Sequence, residues 1–204
     1  MNNVKDSIGW AQKSWNPITG CKRGCPYCYA RRIYERFNKT PFSEMRFYPE
    51  RLRDNGLRTK KPLIIFVGSM TDIAYAQPEW LREAKNVCNR YQQHTFMFLS
   101  KELSAYKNHY WPPNTMQGLT VEKIVDAMEI FMVLNMHCCP RPFLSIEPLL
   151  GPITIKIPDI FERIMVGAMT GPGAIRPEKN WIESIRDNAP KGKIYWKRNI
   201  RGYL

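Results

Sequence analysis

Three cysteines within eight residues constrain this chain more than any other feature of its sequence. Cys21, Cys25 and Cys28 follow a C-x3-C-x2-C spacing, and thiolates this close either share a metal or repel one another. A structural zinc site usually takes four ligands in two Cys/His pairs, and no second pair follows here, where the nearest histidine is His94. Iron–sulfur clusters are also held by closely spaced cysteines, and three cysteines on a four-iron cluster leave one iron open to a substrate or cofactor. The spacing therefore favours an iron–sulfur cluster, and a zinc site stays open as the alternative.

Length and composition are those of a folded protein outside the membrane. The chain has 204 residues, 44% of them hydrophobic, and a chain of this length buries roughly 70% of its unfolded surface. No apolar run reaches the roughly 18 residues of a membrane span, and the first residues lack the apolar core of a signal peptide. We therefore expect a cytoplasmic protein whose six cysteines are reduced thiols or metal ligands rather than a disulfide framework.

The charge of the chain is strongly basic. Its 31 lysines and arginines outnumber 18 acidic residues, which gives a net charge of +13. A cytoplasmic protein this basic most often meets a polyanion, and nucleic acid is the commonest one. The alternative is that the charge only keeps the protein soluble.

Apolar runs and helical periodicities alternate along the chain. Strands are predicted over residues 15–18, 63–67, 95–99, 115–120, 142–146 and 164–166, with a short last strand over 194–196. Helices are predicted after Pro26, after Pro78, after Thr120 and around Trp181. This alternation is typical of βα units with parallel strands, so we predict one α/β domain over residues 1–204.

Two of the predicted helices carry an apolar stripe that we expect to face the core. The stripe after Pro26 consists of Ala30, Ile33, Tyr34 and Phe37, and the stripe after Thr120 consists of Val121, Ile124, Val125, Met128, Phe131 and Met132. The cysteines outside the triplet, which are Cys88, Cys138 and Cys139, are interpreted as structural thiols. For Cys138 or Cys139 the alternative is a thiol that donates a hydrogen atom or holds a substrate radical.

Residues 38–62 form a long insertion that is both basic and aromatic. Phe42, Phe47 and Tyr48 are interleaved with seven lysines and arginines, which are Lys39, Arg46, Arg51, Arg53, Arg58, Lys60 and Lys61. Aromatic rings with cations can form a groove in which bases stack and phosphates are neutralised. The aromatics can equally pack onto the core while the charges remain in solvent, and both interpretations stay open.

Polar side chains follow nearly every predicted strand. In a parallel α/β barrel the residues just after the carboxyl ends of strands face the active site, so these positions are candidate site residues before any chemistry is assumed. They are Ser69 and Asp72, Ser100 and Lys101, Glu122, Glu147, and Thr170. A single acidic residue at such a position is as often a helix cap as a ligand, and Asp72 could cap a helix starting near Ile73.

The cysteine triplet, with Tyr27 just before its last member, resembles the signature loop of radical S-adenosylmethionine (radical SAM) enzymes. Four further segments, at residues 15–21, 67–72, 147–152 and 170–174, together with the triplet, resemble an uncharacterised, phage-associated family of radical-SAM-like proteins over about residues 10–196. The resemblance implies a partial (β/α)6 TIM-like barrel with mostly parallel strands. It also implies a 4Fe–4S cluster on Cys21, Cys25 and Cys28, SAM on the fourth iron, and an electron donor such as flavodoxin or ferredoxin.

The resemblance implies which residue would meet the adenine of SAM, and the chemistry of the strand-end residues suggests contacts for its other groups. The Tyr27 backbone would meet the adenine, Ser69 or Asp72 the methionine ammonium, and Lys101 the carboxylate. Residues 68–72 depart from the Gly-Gly-Glu motif that holds this ammonium in many superfamily members. Glu122 or Glu147 would accept hydrogen bonds from the ribose hydroxyls, with Ser100 and Thr170 completing the cofactor set. Lys101 and Glu147 are also the candidate catalytic residues.

The expected function is a radical SAM enzyme that acts on nucleic acid, foremost on a nucleobase of phage DNA in the host cytoplasm. Isomerisation of an amino-acid-modified thymidine is one specific form of such hypermodification. RNA, a DNA lesion and a small molecule remain alternative substrates for the same chemistry. A zinc-stapled nucleic-acid-binding module without catalysis is the alternative from another class.

Overall fold

The alternation of apolar strands and amphipathic helices gives a mixed α/β structure in a computed structural model that describes residues 1–4, 8–107 and 110–204. Its larger sheet has eight strands, most of them parallel, and a second sheet has two. The strands are β1 Asn2–Asn3, β2 Lys13–Trp15, β3 Ile18–Thr19, β4 Arg46–Phe47, β5 Ile64–Val67, β6 Thr95–Ser100, β7 Thr115–Val121, β8 Pro142–Ile146, β9 Ile164–Val166 and β10 Ile194–Trp196. The α-helices are α1 Tyr29–Phe37, α2 Pro78–Arg90, α3 Ala127–Leu134 and α4 Lys179–Asn188.

The chain divides into two compact units. The first comprises the described residues of Met1–Ser100 and His109–Met116, and the second those of Lys101–Asn108 and Gln117–Leu204. In the first unit β2, β5 and β6 are parallel neighbours, and β1 adds to β2 in the antiparallel sense. The small sheet, β3 with β4, is antiparallel and belongs to the same unit. Helix α2 covers this unit with a buried stripe of Leu81, Ala84, Val87 and Cys88.

The second unit contains most of β7 and the parallel neighbours β8, β9 and β10. Val121 of β7 pairs with Ile146 of β8, which pairs with Val166 of β9, which pairs with Trp196 of β10. These four strands therefore end in one row. Every residue of β8 and β9 is buried, as expected for central strands of a parallel sheet.

The predicted strand positions are largely correct, and the first one is the main exception. Residues 15–18 do not form one strand, because β2 ends at Trp15 and β3 starts at Ile18 in a different sheet. Pro17 lies at the break and has no backbone N–H to donate to a ladder. The prediction of a continuous strand here is wrong.

The expected burial of two helical stripes is also wrong in part. In α1 only Ala30 and Tyr34 are buried, whereas Ile33 is 50% exposed and Phe37 75% exposed. In α3 only Val133 is buried, and Met128 and Phe131 are exposed. Periodicity identifies an apolar face, but the position of the neighbouring elements decides which part of that face is covered.

The insertion at residues 38–62 belongs to the core of the first unit. Phe42 is buried against Tyr34, and Phe47 stacks on Trp80 with ring centroids 5.8 Å apart. Leu57 is fully buried in a 3-10 turn, while the seven basic side chains of the insertion are exposed. For Phe42 the packing interpretation is therefore confirmed.

Among the residues that the structure describes, no helix is long and apolar enough to cross a membrane.

Candidate functional site

The cysteine loop lies between a strand end and a helix start in the first unit. Gly20 opens the loop with a φ of +104°, and a β-carbon there would lie 2.9 Å from Met45 Cα and 2.9 Å from the Phe42 carbonyl oxygen. The Cys21 amide donates to the Phe42 carbonyl at 2.9 Å, and the Gly20 amide donates to the Met70 carbonyl at 2.9 Å. The loop is thus held between the insertion and the segment after β5.

The three thiols are free and partly buried. The Cys28 sulfur caps α1 by accepting from the Arg31 amide at 3.4 Å, and the Cys21 sulfur accepts from the Arg23 amide at 3.5 Å. Cys21 and Cys28 also pack against the apolar cluster of Ala30, Tyr34 and Phe42. Tyr27, beside Cys28, is partly buried on the same loop.

Electrostatics keep the Cys21 thiol protonated in the metal-free protein. Burial raises the pKa of this thiol above its ordinary value of 9.0, and the negative charges of Asp72 and Cys25 act in the same direction. Hydrogen bonds from the Arg23 and Asp72 amides oppose the shift without cancelling it. Because a metal binds the thiolate, uptake of a metal at Cys21 would release a proton.

The donor set suits an iron–sulfur cluster in the number and type of its ligands and in their spacing along the sequence. Cys21, Cys25 and Cys28 are three unbridged sulfurs of one loop, with backbone amides donating to two of them. Over residues 1–4, 8–107 and 110–204, however, no three Cys, His, Asp or Glu side chains are already arranged as a metal site. Binding would therefore require this loop to draw its sulfurs together.

The polar residues after β5 form a hydrogen-bonded group with the end of β6. Asp72 Oδ1 accepts from the Ser100 hydroxyl at 2.6 Å and from the Ala74 amide at 3.0 Å, so Asp72 caps the 3-10 turn Ile73–Tyr75. The expected cap at this position is confirmed. The Ser69 hydroxyl donates to Asn16 Oδ1 at 3.1 Å, and the Ser69 carbonyl accepts from the Tyr29 hydroxyl at 2.6 Å. Ser69, Asp72 and Ser100 therefore surround the segment to which the cysteine loop is bonded.

The second unit carries a row of charged residues along the ends of its parallel strands. The residues that directly follow β7, β8, β9 and β10 are Glu122, Glu147, Gly167 and Lys197. Their strands end in register, so the four positions lie side by side at the carboxyl edge. This is the edge at which α/β folds commonly hold ligands.

Two ion pairs form in this row. Lys101 Nζ donates to Glu122 Oε1 at 2.7 Å, and Lys197 Nζ donates to Glu147 Oε1 at 2.5 Å. The Lys197 and Glu147 side chains are only 12% and 27% exposed, so their attraction is little screened by solvent. Lys101 and Glu147, the candidate catalytic residues, thus each have an opposite charge in contact.

Gly167 allows the Glu147–Lys197 pair to close. A β-carbon at this position would lie 2.8 Å from Glu147 Oε1 and 3.1 Å from Lys197 Cδ. The lysine stem therefore crosses the glycine backbone to reach a carboxylate two strands away. Any side chain at residue 167 would occupy this path.

Thr170, the remaining predicted site residue, does not directly follow a strand and is not one of the four positions of the charged row. Thr170 is exposed and begins an exposed stretch that contains Gly171 and Gly173, both with positive φ. An exposed turn of this kind is a less defined contact for a cofactor than the charged row.

Sequence reasoning missed Lys197 and Asn16. Lys197 comes directly after β10, so the rule that selected Glu122 and Glu147 would have selected it if applied to the last short strand. Asn16 follows β2 and could have been found by the same rule, had that strand been predicted to end at Trp15.

The cysteines outside the triplet differ in environment. Cys88 is fully buried on α2, and burial raises the pKa of its thiol well above the ordinary value, as expected of a structural thiol. Cys139 is buried and Cys138 exposed, with sulfurs 3.8 Å apart and no bond between them. Burial and the neighbouring Cys138 sulfur also raise the pKa of Cys139.

Comparison with known proteins identifies a family but no characterised relative. No curated protein and no solved structure matches the chain. One family model, described as Protein of unknown function (DUF5131), matches residues 5–199, which include the cysteine loop and the charged row. Because this match covers nearly the whole sequence, the chain belongs to the DUF5131 family.

Proposed function

We propose that this protein is a radical SAM enzyme that binds a 4Fe–4S cluster and modifies a nucleic acid. The observation that carries the proposal is the loop of three free, partly buried thiols, Cys21, Cys25 and Cys28, between a strand end and a helix N-terminus. Three protein ligands would leave the fourth iron for SAM. The finer form of the fold, a partial (β/α)6 TIM-like barrel, is part of the same proposal.

The residues of the loop would hold the cluster in a partly apolar setting. Cys21 and Cys28 pack on the Tyr34–Phe42 cluster, which limits water at two of the three sulfurs, and the Arg23 and Arg31 amides stabilise negative charge on them. When bound and reduced, for instance by a flavodoxin or ferredoxin, such a cluster supplies the electron that cleaves SAM to a 5′-deoxyadenosyl radical. Ligation would displace the thiol proton of Cys21.

Polar residues at the strand ends would bind and orient SAM. In the first unit Tyr27 lies in the loop, and Ser69, Asp72 and Ser100 lie around the segment to which the loop is bonded; they offer backbone groups, hydroxyls and a carboxylate to the adenine and the ammonium. Taken by itself, the second unit offers cations that suit a carboxylate and acceptors that suit a diol, in its Lys101–Glu122 and Glu147–Lys197 pairs. Thr170 remains a candidate contact from an exposed turn.

Nucleic acid is the proposed substrate class, with a nucleobase of phage DNA as the leading form and isomerisation of an amino-acid-modified thymidine as a specific reaction. The supporting observation is the charge of +13, with the seven basic side chains of residues 38–62 all exposed. RNA, a lesion or a small molecule would be handled by the same cluster chemistry.

Anaerobic reconstitution tests the proposal. The purified chain, given iron, sulfide, SAM and dithionite, is expected to bind about four irons per chain and to yield 5′-deoxyadenosine. Replacement of Cys25 by Ala should abolish both readouts, whereas Cys138→Ala, which removes an exposed thiol outside the loop, should leave both unchanged.

The same measurements separate the proposal from its rival. A colourless protein with one zinc, and no 5′-deoxyadenosine, would instead indicate a zinc-stapled nucleic-acid-binding module. If the product forms, deuterium transfer from labelled DNA into 5′-deoxyadenosine distinguishes DNA from the other substrates.

A further inference from the structure

Helix α1 exposes large apolar side chains although it begins directly at the cysteine loop. Tyr29, Ile33 and Phe37 are 48%, 50% and 75% exposed. They are spaced four residues apart, which puts them on one side of the helix with a rise of about 6 Å between successive members. The buried side of the helix is narrow and consists of Ala30 and Tyr34.

Arginines alternate with these apolar side chains. Arg32 and Arg36 are both exposed, and the Arg36 guanidinium lies 5.6 Å from the centre of the Phe37 ring. Residues 22–39 contain six basic residues and one acidic residue, Glu35; the six are Lys22, Arg23, Arg31, Arg32, Arg36 and Lys39. The surface formed by Tyr29, Arg32, Ile33, Arg36 and Phe37 is called the α1 face below.

The composition of the α1 face indicates what covers it. A contiguous exposed apolar surface commonly marks an interaction site, and here the surrounding charge selects an anionic partner. A duplex presents phosphates and offers no base faces, so it would use the arginines and leave the rings in water. Unpaired nucleotides use both, because bases stack on exposed rings while arginines meet phosphates.

We infer that the α1 face binds single-stranded DNA. The inference rests on the proposed function in one respect, namely that the bound strand is the substrate of that enzyme. The position of the face supports this link, because Tyr29 follows Cys28 in the chain and donates its hydroxyl hydrogen to the Ser69 carbonyl at 2.6 Å. A strand lying on α1 would therefore pass beside the loop that we propose to carry the cluster.

Fluorescence anisotropy with a labelled oligothymidylate of about 16 nucleotides tests this inference on the full chain. Phe37→Ala is expected to weaken binding about tenfold, because it removes a stacking ring that is exposed and contributes little to the fold. Phe131→Ala removes a ring that is 52% exposed from α3, in the second unit, and is expected to leave the affinity unchanged.

A second pair of variants tests the charge. The double change of Arg32→Gln and Arg36→Gln is expected to reduce the slope of log K against log salt by about 0.7 for each phosphate that the variant no longer neutralises. Arg82→Gln, which removes an exposed charge from α2 in the same unit, should change the slope by less. A duplex of the same length should bind more weakly and respond to the arginine changes but not to Phe37→Ala.

Several outcomes would overturn the inference. One is equal loss of affinity in Phe37→Ala and Phe131→Ala, and another is an affinity unchanged by Phe37→Ala. Sedimentation that shows a wild-type dimer and a Phe37→Ala monomer would assign the face to self-association instead. The binding assay needs neither cluster nor SAM, so its failure is distinct from a failure to form 5′-deoxyadenosine.

Discussion

Gly167 lies beside the two charged side chains that form the closest ion pair of the charged row. The Glu147 carboxylate and the Lys197 stem occupy the space that a β-carbon would take, at 2.8 and 3.1 Å. Both neighbours are side chains, one of them approaching with its flexible end, so a methyl group there would displace the pair more readily than it would disrupt the sheet. A substitution at residue 167 should therefore change the positions of Glu147 and Lys197 with little effect on the stability of the fold.

Gly167→Ala tests that separation. We expect it to lower the free energy of unfolding by about 1 kcal/mol, the low end for an overpacked site, because the ion pair can yield. It should also reduce the rate of 5′-deoxyadenosine formation, and by more than the small loss of folded protein explains, because Glu147 and Lys197 would be moved out of contact with each other. Chemical denaturation and the product assay give the two values. Gly202→Ala, where a β-carbon would meet nothing within 4 Å, should change neither.

Cys88 makes the stability of the folded protein depend on pH in the alkaline range. Burial raises the pKa of its thiol above the ordinary 9.0, so the folded state holds this proton at pH values where the unfolded chain has released it. The contribution of this thiol to the free energy of unfolding is fully present below the pKa that the thiol has in the unfolded chain. It is lost as the pH rises above that pKa, because folding then requires the thiolate to take up a proton again.

Cys88→Ala should remove this dependence. We expect unfolding free energies measured between about pH 8 and pH 10 to fall more steeply with pH in the wild type than in the variant. Val87→Ala, which removes a buried side chain without a titratable group from the same helix, should keep the wild-type slope. Parallel slopes for wild type and Cys88→Ala would contradict the assignment, whatever the absolute stability of the variant.

At the scale of elements, packing of α1 on the insertion fixes the cysteine loop. Phe42 is 2% exposed, its ring lies 5.4 Å from that of Tyr34, and its carbonyl accepts from the Cys21 amide. The insertion therefore supports the loop both through its core aromatic and through its backbone. Its basic residues are exposed, but two of them contact the segment that leads into the loop: Arg46 pairs with Thr19, and Arg51 donates to the Asn16 carbonyl at 2.8 Å.

Phe42→Ala should remove the packing of the cysteine loop on the insertion. Loss of a buried phenylalanine costs about 3–5 kcal/mol, so the midpoint of denaturation should fall markedly. If the variant stays folded in buffer, we expect reduced iron uptake on reconstitution, because the variant lacks the surface on which Cys21 and Cys28 pack. Phe37→Ala, on the exposed side of α1, should change the unfolding free energy by no more than about 0.5 kcal/mol.

Sequence periodicity predicts elements better than it predicts their faces. The strands predicted at 142–146, 164–166 and 194–196 have the bounds of β8, β9 and β10, because each is a short, mainly apolar run between polar segments. For α1 and α3 the period identifies helices, but Ile33, Phe37, Met128 and Phe131 are exposed. How much of an apolar stripe is covered depends on neighbours that are remote in sequence, which no local pattern encodes.

At the scale of the whole molecule, the charge of +13 and a pI of about 9.6 govern behaviour in solution. Protein purified at low salt is expected to carry bound nucleic acid, because polyanions release counterions when they meet a basic surface. The absorbance ratio at 260 and 280 nm should fall after a wash at about 1 M salt, where this electrostatic attraction is largely screened. A ratio already low in the low-salt preparation, before any wash, would contradict the expectation.

The sequence alone determined the properties that depend on neighbours along the chain. These are the spacing of Cys21, Cys25 and Cys28, the parallel α/β pattern, the excess of basic charge, and the polar residues that follow most of the strands. Only the tertiary structure decided which of those residues meet. It pairs Glu147 with Lys197 across 50 residues and Asp72 with Ser100 across 28, and it leaves the α1 face in solvent. The physical reason is that spacing and periodicity are local, whereas ion pairs and burial depend on the register of strands far apart in the chain.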